Sequence, residues 1–325
     1  MKGIRRVSTR GMGRPEWLAR RRKTIGGSDA AAIVGLSRYA TPYTVFLDKT
    51  DRLPDKPDTE AMRLGRDLEG YVAQRWAEET GKTVRRVQAM LYNPAYPHSH
   101  ADVDRMVTGE NAGLECKTTS TLDVKQFHGV EFPEQYYAQC VHYLAVTGCE
   151  RWYLAVLVFG RGFFTYQLDR DQAEIDALME AEGAFWEEHV ATDTPPAASG
   201  SDADSEALQT IFSESRPEER SLFGRDTLLD EYTQLKRQDK AVKDRMSEIE
   251  NIIKSDLQEA ERGNGERYKV TWKTQVRSTF QAKAFAQAYP SIDLTPFYKT
   301  TTVRPFKVQE LADQNLCDDN RRTRP

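Results

Sequence analysis

The sequence has few cysteines, no long apolar run and no internal repeat, and each shortage removes a class of protein. Four cysteines in 325 residues stand at 116, 140, 149 and 317, with no CxxC pair. That scatter suits a reduced intracellular chain without a thiolate metal cluster. No apolar run approaches the roughly 18–20 residues that span a bilayer, so no membrane partner is expected. The opening "MKGIRRVSTRGMGRPEWLARRRK" lacks the apolar centre of a secretory signal, which leaves a cytoplasmic location as the expectation. Acid is also missing locally: residues 1–23 hold nine Lys/Arg and one carboxylate, Glu16. The whole chain carries a formal charge of −4, so this basic arm marks a local footprint for a polyanion.

What is present is charge and amphipathic pattern. Charged residues make up 30% and hydrophobic ones 39%, the composition of a globular chain with a charge-rich surface. Residues 59–81 place Met62, Leu64, Leu68, Val72 and Trp76 near helical spacing, with Gly81 as a stop. "SDAAAIVG" (28–35) reads as a helix start with Ser28 as its cap. A strand is expected around "RRVQAMLYN". The runs around "TGENAG" read as a hairpin. "PEQYYAQCVHYLAVTG" (133–148) reads as a helix, "RWYLAVLVFG" and "GFFTYQLD" as paired strands, and "RDQAEIDALMEAEGAFWEEHV" as a closing helix. The polar, Pro-bearing stretch 192–207 reads as a linker. Beyond it, Leu228, Tyr232, Leu235, Val242, Met246, Ile249 and Ile253 follow a 4-3 spacing, a coiled-coil-like or helical-hairpin seam interrupted by Asp239. "ERYKVTWKTQ" (266–275) alternates as a strand. The expected organisation is an arm at 1–14, a domain at 15–191, the linker, and an extension at 208–325.

The chemistry concentrates in "HADVDRMV" (100–107) and "GLECKTTS" (113–120). Side chains two apart on a strand share a face. Glu115 and Lys117 therefore point one way, Leu114 and Cys116 the other, and Asp104 ends the partner strand. Two carboxylates and an ammonium within reach of each other suit a hard cation such as Mg²⁺, to which the backbone carbonyl of Cys116 could add a ligand. Such a cation polarises a phosphoryl oxygen and activates water. A surface salt-bridge cluster would give the same spacing, so the surrounding residues matter. Glu69 in "LGRDLEG" is placed on the inner side of its helix. "RRRKTIGGSDA" sets arginines, two glycines and Ser28 at a helix start, an arrangement that receives anions. Gln139 in "YYAQCVHY" lies on a helix edge between tyrosines.

Taken in order, Arg21, "GGSDAAAIVGLSRYATPYTVF", "RLGRDLEG", "ADVDRMV", "GLECKT" and "PEQYYAQCVHYLAVTG" resemble the YqaJ-type viral recombinases. These are relatives of phage lambda exonuclease within the PD-(D/E)xK nuclease superfamily. The resemblance spans about residues 15–190. It implies a restriction-endonuclease-like α/β core, a mixed sheet flanked by helices, followed by a helical and short β extension. By the resemblance Asp104, Glu115 and Lys117 match the catalytic motif, and Glu69 matches a helical glutamate near the metal. Arg21 and Ser28 match the pair that holds a DNA 5′-phosphate, and Gln139 matches the glutamine after the motif. Two choices stay open: Asp102 competes with Asp104, which lies nearer the turn and is followed by Arg as in relatives, and Arg22 competes with Arg21. Val103 stands where the family's proline is implied, and the cysteines do not fit the iron–sulfur pattern of some superfamily members. The implied activity is Mg²⁺-dependent digestion of linear duplex ends, 5′ to 3′, with Mn²⁺ as a substitute, leaving 3′ single strands for recombination by an annealing protein. A ring-shaped trimer and a bacterial host cytoplasm for a phage or prophage product belong to the same implication. A structure- or sequence-selective endonuclease with the same site, and a non-catalytic DNA-binding or scaffold protein, are the alternatives.

Overall fold

A computed structural model describes residues 3–55, 57–120, 127 and 132–310. The chain divides into two units, Met1–Phe212 and Ser213–Pro325. In order, the first contains β1 (Arg5–Ser8), α1 (Arg14–Arg21), β2 (Ile25–Gly26), α2 (Gly27–Ile33), α3 (Pro42–Lys49), α4 (Glu60–Thr80), β3 (Val84–Arg85) and β4 (Ala89–Tyr92). It continues with β5 (Ser99–Asp102), β6 (Arg105–Val107), β7 (Ala112–Thr119), α5 (Glu134–Thr147), β8 (Arg151–Val158), β9 (Gly162–Asp169), α6 (Gln172–Phe185) and α7 (Asp202–Ile211). A π turn at Trp186–Val190 follows α6 directly.

The class is mixed α/β. A five-stranded sheet, β3-β6-β7-β8-β9, forms the base. Its β7–β8 pair is parallel, with Glu115 opposite Leu154, while β6–β7 and β8–β9 are antiparallel. A smaller sheet, β1-β4-β5-β2, stands beside it. Alternation on β7 decides which side chains face which layer. Leu114 is fully buried with Val72 and Trp76 of α4 and Tyr153 of β8, and Cys116 packs against the same cluster. The next layer joins α5, α6 and the small sheet through Val141, Leu144, Trp152 and Ile175. Helix caps end α4 and α5 where glycine was expected to: Gly81 and Gly148 both take the left-handed conformation.

Several boundaries differ from the sequence reading. Residues 5–8 of the basic arm are an edge strand paired to β4, and the Arg5 guanidinium lies 4.2 Å from the Tyr92 ring centroid. The segment "RRVQAMLYN" is two strands rather than one. Gln88 adopts a positive φ of 47°, and this reversal sends β3 and β4 into different sheets. Helix α2 begins at Gly27 with Gly26 as its N-cap residue, so Ser28 lies in the first turn and is not the cap. Asp29 closes that turn instead, accepting the Gly26 N–H at 2.8 Å. The stretch expected as linker carries the start of α7: Ser201 caps the helix, and the buried Asp204 accepts from the Ser199 N–H at 2.6 Å and from the Thr41 hydroxyl. The Thr41 bond ties α7 to the start of α3. On α4, Met62 is exposed, and burial begins only at Val72.

The second unit contains α8 (Asp226–Leu257), the antiparallel pair β10 (Arg262–Asn264) and β11 (Lys269–Thr271), α9 (Ala282–Ala288) and a 3₁₀ turn at Thr295–Phe297. The 4-3 seam lies on α8 as expected, with Leu228, Val242 and Met246 exposed. No second long helix lies along it among the described residues of this unit. Cys317 falls outside the described residues, and Cys140 and Cys149 are buried free thiols.

Candidate active site

The face of β7 opposite Leu114 is polar, and α5 covers it. Glu115 is buried, and its Oε1 accepts from the Gln139 side-chain amide at 2.8 Å and from Lys117 Nζ at 2.6 Å. Its other oxygen, Oε2, is buried with no partner. Asp104 sits between β5 and β6, where the chain passes from the small sheet to the large one. Its Oδ2 accepts from the Cys116 N–H at 2.8 Å, which fixes the carboxylate against β7. Burial, and then the negative charges of Glu115 and Glu69, push the Asp104 carboxyl well above its ordinary range. Burial works against the Lys117 ammonium, but Glu115 and Asp104 overcome it, so Lys117 is held above the usual lysine value as a fixed cation. Burial and the same two carboxylates raise the Cys116 thiol, which is therefore no thiolate ligand.

Glu69 reaches this region from α4 but is ion-paired with Arg105, a buried residue that also donates to the Asp104 carbonyl at 2.7 Å. The two aspartates left open by the sequence separate here. The Asp104 carboxyl feels Glu115, Glu69 and Lys117, whereas that of Asp102, whose Oδ2 is also buried without a partner, is raised by burial and opposed chiefly by Arg21.

A second polar cluster stands at the start of α2. Arg21 Nη2 donates to Ser28 Oγ at 2.7 Å, lies 4.0 Å from Asp29 Oδ1, and stacks 4.7 Å above the Trp17 ring. Its neighbour Arg22 is committed elsewhere, to Asp48, Asp51 and Asp55. Lys49, its side chain fully buried, pairs with Asp29 Oδ2 at 2.6 Å and donates to the Arg21 carbonyl at 3.2 Å. Burial disfavours the Asp29 anion, but Lys49 and Arg21 outweigh it and hold the carboxyl well below its ordinary value. A cavity of about 700 Å³ opens beside this cluster, lined in part by Trp17, Arg21, Tyr39, Met62 and Arg66.

The two clusters touch through α5. Tyr143 accepts from Gln139 at 2.8 Å and donates to the Asp102 carbonyl at 3.0 Å. Gly27 of α2 rests on the same side chains: a Cβ there would lie 2.6 Å from Tyr143 Cε1 and 3.2 Å from Gln139 Cγ. Sequence reasoning missed Asp29, Lys49, Arg105 and Tyr143. Asp29 had a signal, since an acid three residues after a helix cap closes the first turn. Lys49 carried none, and Arg105 was noted only as the residue after Asp104, because their partners lie 20 and 36 residues away.

The model of the YqaJ-like viral recombinase domain matches residues 16–150. The uncharacterized protein YqaJ of Bacillus subtilis (strain 168) is 37% identical over 307 residues, covering 93% of this chain and 96% of that protein. The chain belongs to the YqaJ-like viral recombinase family. Among solved structures, this YqaJ-family chain is similar to the alkaline exonuclease LHK-Exo from Laribacter hongkongensis, at 19% identity and a TM-score of 0.46, over 55% of this chain and 94% of that one. A phage-related exonuclease from Haemophilus somnus 129PT is similar at 11% identity and a TM-score of 0.41, over 52% and 96%.

Among the described residues, no three carboxylate, imidazole or thiolate groups already converge as a metal-binding set. The donor chemistry of β7 nevertheless fits a hard dication. An unpartnered buried carboxylate oxygen stands beside a second carboxyl that burial, and then like charges, push toward neutrality, and a cation with oxygen preference would relieve both conditions. Glu69 would join only by leaving Arg105. No helix among the described residues is long and apolar enough to cross a membrane.

Proposed function

We propose that this YqaJ-family chain is a Mg²⁺-dependent deoxyribonuclease that digests linear duplex from a 5′-phosphorylated end. The observation that carries the reading is the open Glu115 Oε2 beside Asp104 and Lys117. Asp104 and Glu115 would hold the cation, with the Cys116 carbonyl as a further oxygen and Glu69 as a reserve ligand. When bound, Mg²⁺ supplies phosphoryl polarisation and a more acidic water. Mn²⁺ shares the oxygen-donor preference and would substitute.

The chain's own groups do the rest. Gln139 and Lys117 clamp one oxygen of Glu115 and so set its orientation. Lys117, kept protonated, steadies the negative charge that builds on the pentavalent phosphorus as water attacks. Arg21 and Ser28 form a donor pair for the terminal phosphate, which carries more charge than an internal diester. Asp29 and Lys49 fix that pair from behind. Digestion from 5′ to 3′, delivery of the 3′ strand to an annealing protein, and a trimeric ring are part of this proposal and rest on the family resemblance.

The test uses end-labelled linear duplex with Mg²⁺, comparing 5′-phosphate with 5′-hydroxyl ends, linear with closed circular DNA, and all of these with EDTA. Loss of label from phosphorylated linear ends alone, abolished by EDTA and by Lys117→Ala, is the expected result. Cleavage of closed circles would replace this reading with an endonuclease. No cleavage of any substrate would leave a binding or scaffold protein.

A further inference from the structure

We propose that the second unit carries a single-stranded DNA site along residues 267–307, separate from the polar clusters of the first. This segment inverts the charge of the chain: it holds eight Lys/Arg against one acid, Asp293, in a protein of net charge −4. Aromatic rings are threaded among those cations. Tyr268 lies between Arg267 and Lys269, Trp272 precedes Lys273, Tyr298 precedes Lys299, and Phe306 stands between Arg304 and Lys307.

Phe280, Phe285 and Tyr289 pack on one another and Phe306 meets the Tyr232 ring of α8 edge-on at 5.5 Å, yet much ring surface stays open. Tyr268 is 73% exposed, Trp272 47% and Phe306 72%, and Phe297 and Tyr298 are exposed as well. So much exposed aromatic surface on one short segment marks an interaction site. Several of the cations are equally uncommitted: among the described residues no carboxylate pairs with Lys269, Lys299 or Lys307, while Lys273 meets Glu261 at 3.6 Å. Arg267 stacks 5.6 Å from the Tyr268 ring centroid, which adds positive charge to the platform.

The chemistry selects the occupant. A strand of unpaired nucleotides offers a phosphate for each cation and a free base face for each ring, and stacking of this kind tolerates any sequence. Duplex DNA hides its base faces. The only regular pieces here are three residues of β11, seven of α9 and one 3₁₀ turn, too little to enter a major groove. The long stretches without regular structure, 272–281 and 298–310, match an extended strand instead. The choice of DNA over RNA rests on the nuclease reading; the site itself does not.

Fluorescence anisotropy of labelled dT30 with the full-length chain, in EDTA so that cleavage is absent, tests this. The combined variant Tyr268→Ala/Trp272→Ala/Phe306→Ala should weaken dT30 binding by tenfold or more and leave a 30-base-pair duplex bound as before. The variant Lys269→Gln/Lys299→Gln/Lys307→Gln should flatten the dependence of log affinity on log salt by about 2, at roughly 0.7 for each single-strand phosphate contact. Unchanged dT30 affinity and salt slope in both variants would overturn the site. Competition by rU30 as effective as by unlabelled dT30 would overturn its assignment to DNA. A chain that cleaves nothing yet loses dT30 through these substitutions would sustain the site and remove the nuclease reading.

Discussion

Helix α5 carries buried charge on two sides, and the two sides are built differently. Toward α6, His142 meets Glu182 Oε1 at 2.7 Å and the His100 carbonyl at 2.8 Å, and Ser99 donates to Glu182 Oε2 at 2.8 Å. Each of these side-chain atoms has a partner. Toward β7, Gln139 holds one oxygen of Glu115 while the other has none, and the neighbouring Asp104 is crowded by like charge. One cluster is closed and the other open. Closure serves the fold, because a satisfied buried pair fixes how α5 and α6 pack. An open cluster holds unfavourable electrostatics that an arriving group would relieve, which supports the proposed site.

Substitutions on the two sides should therefore separate stability from activity. The largest effect is expected on the closed side. Glu182→Ala removes one partner of a fully buried pair and should destabilise the first unit by about 3–5 kcal/mol, read by urea unfolding. A midpoint like that of wild type would show that the closed cluster holds nothing together. On the open side, Lys117→Ala should slow cleavage by roughly 10²–10³-fold and lower the unfolding midpoint less than Glu182→Ala does, because Lys117 is partly exposed and Gln139 still holds Glu115. If it unfolds as readily as Glu182→Ala, the contrast between the two sides disappears. Asp104→Asn should shift the Mg²⁺ dependence of the rate more than Asp102→Asn does, and the reverse order would move the ligand to Asp102.

A smaller effect follows from pH. Burial opposes the His142 imidazolium, but Glu182 outweighs it and raises His142 above the ordinary histidine value. A raised value favours the protonated folded state. Its contribution is complete below the unfolded value of about 6.5 and fades as pH climbs through the folded value. The stability gap between wild type and His142→Gln should then be widest below pH ~6.5 and narrow toward alkaline pH. A gap that widens instead would reverse the assigned charge state. Smallest of all, Ser28→Ala should change stability by less than the ~1 kcal/mol of a lost helix cap, because Gly26 holds that position. Its effect belongs in the preference for 5′-phosphate.

The open side was more legible in the sequence than the closed one. Glu115 and Lys117 share a strand face by period alone, and Gln139 follows on a helix whose end Gly148 announces. Helix α5 was expected at 133–148 and spans Glu134–Thr147. His142 and Glu182 left no trace, because two residues 40 apart on separate helices share no local pattern. Ser28 misled for a physical reason: a serine before an apolar run looks like a cap, but the glycine pair lets the helix begin earlier, with the cap two residues upstream at Gly26. Gln88 misled as well, since a single left-handed residue divides what reads as one strand. The long seam on α8 was plain, as a 4-3 spacing from Leu228 to Ile253 along a 32-residue helix needs no tertiary partner to be recognised.

Gly27 sets a length. With no side chain of its own, it lets α2 lie directly on Tyr143 and Gln139, with less than an ordinary contact to spare. The span from Ser28 to Glu115 is thereby determined by solid matter, backbone against ring and amide, rather than by a loop that can stretch. Under the proposed roles that span is a caliper, its jaws the terminal phosphate and the bond to be cut. Gly27→Ala would force the jaws apart, and the sizes of the first products released from a labelled end would report the new setting. Under those roles the number of nucleotides removed per step would be a dimension set where α2 meets α5, at a glycine that leaves no room for a methyl group.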